Sequence, residues 1–428
     1  MMLGWVAIIR LGLVQMCLGA IVVLTTSTLN RLMVVELALP ALLPGLLVGL
    51  HYGIQITRPH WGFFSDTQGR RSRWITGGMA VLALGGFGAA LGVVIMQHSF
   101  AAGLALSVVA YAAIGLGVGA SGTSLLALLA SAAAPERRAA AATITWLMMV
   151  AGIAVTAGTV GALLDPYSPG LLLRIVAALG LGAVALTGLA IAGIEAKVEP
   201  RPPEPKAKLR EGLAEIWAEP AARRFTVFVF LSMTAYFMQE LILEPYAGLV
   251  FGFTPGQSTS LSGAQNGGVF LGMLTVGIAA TGFGLGRLRS WVVGGCLGSA
   301  ASLAAVSLVA QTGSGAALIA AAVALGFCNG VFAVAAIAAM MALAGQGRDR
   351  REGTRMGLWG AAQAIAAGIG GLAGAGLADL LRGLMGSDAA GFGAVFLIEA
   401  MLFVLAAALA VRAVAPGTRA PRPLAGEG

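Results

Sequence analysis

Residues 58–73 read RPHWGFFSDTQGRRSR and stand between two apolar runs, roughly 38–57 and 74–96. Four arginines and an aspartate in one short stretch are conspicuous, because only 10% of the 428 residues are charged while 58% are hydrophobic. The mean hydropathy is +0.90, far from the balance of a water-soluble domain. A transmembrane helix needs about 20 consecutive apolar residues, and runs of that length recur on both sides of the loop. About twelve spans are predicted, near 8–30, 38–57, 74–96, 102–131, 141–163, 170–194, 225–249, 261–283, 291–311, 315–343, 355–380 and 391–413. The fold class expected is therefore an all-α polytopic membrane protein. Helices satisfy their own backbone hydrogen bonds in lipid, and the two-residue alternation of a barrel strand is missing.

Basic residues fall on alternate loops: Arg58 with Arg70, Arg71 and Arg73, then Arg137 and Arg138, Lys197 to Arg224, Arg287 and Arg289, Arg348 to Arg355, and the C-terminal Arg412, Arg419 and Arg422. The positive-inside rule then puts both termini and these loops in the cytoplasm. The net charge of +8 reads as a topology signal, with no nucleic acid partner implied. The start, MMLGWVAIIRLGLVQ, has no basic region ahead of its apolar core and reads as a retained first span. A long polar break suggests the division: 1–194 as one six-helix half, 195–224 as a cytoplasmic linker, 225–413 as the second half and 414–428 as a cytoplasmic tail. Within the linker, KLREGLAEIWAE places Leu209, Leu213, Ile216 and Trp217 on one face, the pattern of a short interfacial helix. Cys17, Cys296 and Cys328 each sit alone in apolar runs, without zinc-type spacing.

The opening loop contains Gly-x-x-x-Asp-x-x-Gly-Arg-Arg through Gly62, Asp66, Gly69, Arg70 and Arg71. This resembles the loop signature of the major facilitator superfamily, whose layout is also six plus six spans. The resemblance implies a gate latch; a charged topogenic turn is the plainer reading. The matching loop of the second half, GFGLGRLRSW, keeps glycines and arginines but has no acid. Four further stretches narrow the family: LNRLMVVEL (29–37), GLHYGIQITRPHWGFFSD (49–66), AYFMQELILEPYAGLVFG (235–252) and REGTRMGLWGAAQAIAAGIGG (351–371). Together they resemble the PucC/LhaA family, found in phototrophic bacteria. That resemblance implies bacteriochlorophyll delivery and light-harvesting complex assembly in an inner or photosynthetic membrane. It implies light-harvesting polypeptides and bacteriochlorophyll synthase as partners, the lipid bilayer as surroundings, and bacteriochlorophyll or a precursor as cargo, with no intrinsic cofactor.

Ionisable groups at membrane depth are costly and mark functional sites. The candidates for pigment or partner binding are Asn30, Arg31 and Glu36 at one end of span 1, and Gln239, Glu240 and Glu244 in span 7. VELALP (35–40) and QELILEP (239–245) read as counterparts in the two halves. Arg31 is expected to pair with Glu240 or Glu244, either as a clamp or as part of a binding site. Glu240 and Glu244 are one turn apart on an unbroken helix, and Pro245 predicts a weak point just beyond them. His51 lies mid-span and is either a ligand for pigment magnesium or a histidine bonded to a neighbouring helix; no metal site of the protein's own is predicted. Glu399, on a span that is peripheral in the facilitator layout, suggests a lateral contact with a membrane partner or a pigment path. Glycine pairs such as Gly115/Gly119 and Gly370/Gly374 predict close helix packing or grooves for a flat ligand.

No nucleophile with a base, acidic metal cluster or cofactor motif is evident, so an enzyme is not expected. The competing function is a facilitator-type secondary transporter of a small hydrophobic solute. Spans 4 and 10 carry no charge in their cores, which disfavours a charge-lined solute path.

Overall fold

Residues 4–58, 61, 71–132, 138–195, 217–282, 285–345 and 352–414 are described by a computed structural model, and they form no strand. Helix α1 spans Trp5–Thr26 and runs on through Thr28–Arg31 into a π-helical turn, Leu32–Glu36. Next come α2 (Leu42–Ile54), α3 (Arg71–Met96), α4 (Phe100–Ala132), α5 (Arg138–Leu163) and α6 (Pro169–Ile191). The later helices are α7 (Pro220–Met238), α8 (Pro255–Val276), α9 (Leu288–Val309), α10 (Gly315–Gly345), α11 (Glu352–Met385) and α12 (Asp388–Ala413).

Ten of these segments are long and apolar enough to cross a membrane. Two more occupy the places of expected spans 2 and 8. Helix α2 is only 13 residues long, and α8 is diluted by Gly, Ser, Thr, Gln and Asn. Several helix ends are closed by side chains, as their orphan backbone groups require. Ser168 and Ser387 accept from the third residue beyond them, at 3.2 and 3.3 Å, and open α6 and α12. Glu195 caps α3, accepting from the backbone N–H of Arg71 and, at 3.0 Å, of Ser72. Arg10 donates to the carbonyls of Leu189 and Ala192 at 3.0 and 2.6 Å, closing the end of α6.

The chain forms two compact units, Met1–Glu204 with Leu243–Gly263, and Pro205–Ile242 with Ala264–Gly428. Inside the first, α1 packs on α5 and α6, α3 on α4 and α6, and α2 on α4. Inside the second, α7 packs on α11 and α12, and α9 on α10 and α12. Each of those pairings in the second unit repeats one in the first, six helices later, which is the structural form of a parallel repeat. Glycines set the closest approaches. A Cβ on Gly78 of α3 would meet the Ser121 nitrogen at 2.6 Å, and one on Gly117 of α4 the Leu82 nitrogen at 2.6 Å.

The expected weak point near Pro245 lies earlier in the chain. Helix α7 stops at Met238, a 3₁₀ turn covers Gln239–Leu241, and a new helix runs Leu243–Phe251. A proline ring clashes with the carbonyl four residues before it, here Leu241, so the chain breaks ahead of the proline. Pro245 then sits in the first turn of the new helix, where its missing N–H costs nothing. Glu240 and Glu244 therefore do not share the face of one continuous α-helix.

Of the expected gate loop, Gly62, Asp66, Gly69 and Arg70 lie outside the described residues, as do most of the linker 195–224 and the tail from 415. Arg71 is described. Its side chain donates to the Ala127 carbonyl at 3.2 Å, tying the start of α3 to α4.

Candidate functional site

Among the described residues a cluster of buried polar groups belongs to the first unit and is built where α1 gives way to the π turn. Ser27, Thr28, Asn30 and Arg31 are all buried there. Ser27 donates its hydroxyl to the Glu244 carboxyl, and the hydroxyls of Thr28 and Thr259 lie 3.0 Å apart. Arg31, 3% exposed, forms its ion pair with Glu36, five residues on, and donates to the Phe253 carbonyl at 2.7 Å. A Cβ on Gly248 would lie 2.9 Å from Val35, so a glycine there lets the helix Leu243–Phe251 close onto the π turn. The π turn is what makes the i to i+5 pair: Leu37 N–H bonds to the Leu32 carbonyl at 3.1 Å, the wide register that swings Glu36 back over Arg31.

This corrects the expected pairing of Arg31 with Glu240 or Glu244. The ion-pair partner of Arg31 is local, and Glu244 is met by a hydroxyl. Gln239 is buried with its side-chain oxygen unpartnered, and Glu240 is half-buried in the same 3₁₀ turn. Chemically, Arg31 and Glu36 answer each other's charge, and the cluster ties Glu244, Phe253 and Thr259 to the end of α1. It is a clamp in form, with Glu36 as its exposed edge.

His51, 2% exposed, sits on the face of α2 turned to α4, where Gly115 meets its backbone oxygen. Its bonding partner is Gln55, one turn further along the chain and not on a neighbouring helix: His51 Nε2 and Gln55 Nε2 are 3.0 Å apart. Arg58 donates to Gln55 Oε1. Since a guanidinium has no acceptor, that bond fixes which end of the Gln55 amide faces the ring. Gln55 then donates to Nε2, and the remaining proton sits on Nδ1, which is buried without a partner. Neither nitrogen offers a free lone pair for magnesium in this arrangement.

Glu399 is fully buried, and neither carboxyl oxygen has a hydrogen-bond partner. The expected lipid-facing position is thereby corrected. Helix α12 turns one face to α7, α9 and α11 and leaves Leu397, Met401 and Leu405 exposed on the other, and Glu399 lies on the inward stripe with Phe392, Phe396 and Phe403. Both glycine pairs are packed. Gly115 and Gly119 lie against α2 and Trp61, while a Cβ on Gly370 or Gly374 would meet the backbone oxygen of Thr234 or Met238 at 2.6 or 2.3 Å. Among the described residues no cluster of three His, Cys, Asp or Glu is placed to hold a metal ion. Sequence reasoning misses Ser27, Thr28, Gln55 and Thr259, since small hydroxyls and a lone amide in apolar runs carry no charge signal.

Residues 28–418 match the family profile described as PUCC protein. The chain belongs to the PucC family. This PucC-family protein is 65% identical, over the whole of both chains, to a Rhodobacter capsulatus protein named Bacteriochlorophyll synthase 44.5 kDa chain. It is 30% identical to Protein PucC of the same organism, covering 96% of this chain and 93% of that one. Among solved structures it resembles a bacterial homolog of the human lysosomal transporter Spinster, captured inward-facing and unoccupied. The TM-score is 0.71 at 15% identity, over 95% of this chain and 96% of the other. At that identity the likeness concerns the fold, which is of the major facilitator type.

Proposed function

We propose that this PucC-family protein is a membrane assembly factor whose cargo is bacteriochlorophyll or a late precursor. It passes the pigment to light-harvesting polypeptides and works beside the last steps of bacteriochlorophyll synthesis. The observation that carries this reading is the end-to-end 65% identity to the chain named for bacteriochlorophyll synthase. In this reading the chain is the handler and not the catalyst. Arg31 is answered by Glu36 and one oxygen of Glu244 by the Ser27 hydroxyl, which suits an apolar cargo better than an ionic solute. The membrane is the inner or photosynthetic membrane of a phototroph, with both termini in the cytoplasm as the arginine distribution indicates.

The test is a tagged copy isolated in mild detergent from phototrophic cells. The expected preparation absorbs in the near infrared and brings down antenna polypeptides or the synthase. A colourless preparation without these partners, active in solute counterflow in liposomes, would replace this reading with that of a secondary transporter.

A further inference from the structure

The pattern Trp-x-x-Gly-Gly occurs at the start of α3, as Trp74 to Gly78, and again at the start of α9, as Trp291 to Gly295. Burial repeats with it: the tryptophan is half-buried, the next residue buried, the first glycine exposed and the second buried. The second glycine admits a neighbouring helix, since a Cβ on Gly78 or Gly295 would meet backbone nitrogen at 2.6 Å. The first has a different role. Nothing lies within 4 Å of a Cβ on Gly77 or Gly294, so each leaves open space beside its tryptophan.

That space is a cleft in both units. The one between α3 and α4 has a volume of about 490 Å³ and is lined by Trp61, Arg73, Trp74, Gly77, Val81 and Leu116 among others. The one between α9 and α10 is about 400 Å³, with Trp291, Gly294, Phe327, Cys328 and Val331 on its walls. They differ in charge. The first carries a charged lining residue, the exposed Arg73, and no carboxylate of a described residue pairs with it. Beside it the Trp61 and Trp74 rings stand 5.6 Å apart, and Trp61 is held by its indole N–H, which donates to Thr57 at 3.1 Å.

Arg73 and Trp74 lie in the first turn of a membrane-crossing helix, the depth of lipid head groups, where arginine meets phosphate and tryptophan sits at the boundary of the apolar layer. From there the lining passes to Gly77, Val81 and Leu116, toward the apolar middle of the span. We infer that the α3–α4 cleft binds one anionic phospholipid, its phosphate on Arg73 and an acyl chain laid along Gly77 and Val81. A flat pigment is the rival occupant, but among the described residues the lining offers no imidazole to its metal, and a pigment would leave Arg73 unanswered. The α9–α10 cleft, alike in form and without a charge among the described residues of its lining, is the internal control and has no preference for anionic head groups.

The experiment uses the full chain in nanodiscs of equal phosphatidylglycerol and phosphatidylcholine, followed by gentle delipidation and native mass spectrometry. The wild type is expected to retain phosphatidylglycerol in excess. Arg73→Gln lowers that preference about five-fold, the factor that one surface arginine supplies. Gly77→Leu removes one held lipid, and Gly294→Leu leaves the preference unchanged. Unaltered retention in Arg73→Gln and Gly77→Leu, or an equal loss of preference in Gly294→Leu, overturns the assignment. So does a Gly77→Leu protein that loses pigment absorption while keeping its lipid. If a variant loses its melting transition, wild-type tryptophan quenching by brominated chains decides. Stronger quenching by brominated phosphatidylglycerol than by brominated phosphatidylcholine, with the difference lost in Trp74→Phe, supports the site; equal quenching by the two overturns it.

Discussion

Ser27 donates its hydroxyl to the buried carboxyl of Glu244, a residue 217 positions away along the chain. The bond joins the end of α1 to the first turn of the helix Leu243–Phe251, which belongs to the first compact unit. Replacing Glu244 with alanine strands the Ser27 hydroxyl in a buried site, at a cost of about 1–3 kcal/mol. Glu244→Gln still offers an oxygen to Ser27 and is expected to lose less. Thermal unfolding in detergent measures both, and equal losses would show that the bond contributes nothing.

Glu399 gives a prediction of opposite sign. Its carboxyl is fully buried and has no hydrogen-bond partner, so it carries the desolvation cost without a compensating bond. Glu399→Leu keeps comparable bulk on the aromatic stripe and is expected to raise stability by about 1–3 kcal/mol. Melting of the purified variant checks this. A marked destabilisation would mean that the acid is answered by a group the structure does not show.

Helices α8 and α10 approach through glycines. A Cβ on Gly326 would fall 1.9 Å from the Gln265 oxygen, and one on Gly272 would fall 2.1 Å from the Phe327 oxygen. Gly326→Ala and Gly272→Ala must push two backbones apart, which is expected to cut the yield of folded protein sharply. Gly267→Ala, where nothing lies within 4 Å, serves as the control and is expected to be near neutral. Size-exclusion profiles of the three variants distinguish these outcomes.

His51 is engaged by Gln55 through the ring nitrogen that would otherwise bind a metal. His51→Gln is therefore expected to leave pigment retention by the purified protein unchanged, while Gln55→Leu destabilises it by leaving Arg58 and His51 without their shared partner. A folded His51→Gln protein that had lost its near-infrared band would place the histidine on the pigment after all.

The membrane architecture is legible in the sequence because an apolar run of about 20 residues, repeated along so hydrophobic a chain, fits little besides a membrane span. The two spans that only just register, α2 and α8, are the short one and the one rich in small polar residues. Arg31 and Glu244 do share one polar region, as their sequence positions suggest, yet their partners differ from those expected. The π turn that brings Glu36 onto Arg31 has no sequence cue, and the break ahead of Pro245 separates Glu240 from Glu244. The burial of Glu399 does have a cue: Phe392, Phe396, Glu399 and Phe403 follow a 4-3-4 spacing, the stripe of a buried helix face. The peripheral place expected for span 12 obscures it.

Pigment handling and assembly, without synthesis of the pigment, is tested most directly by deleting the chain in a phototroph. The near-infrared spectrum of the membranes is recorded beside the bacteriochlorophyll precursors in solvent extracts. A handler predicts a loss of antenna bands with pigment or a late precursor still made, and recovery of the bands when the chain is restored. Membranes with a full complement of antenna pigment after deletion would contradict that role.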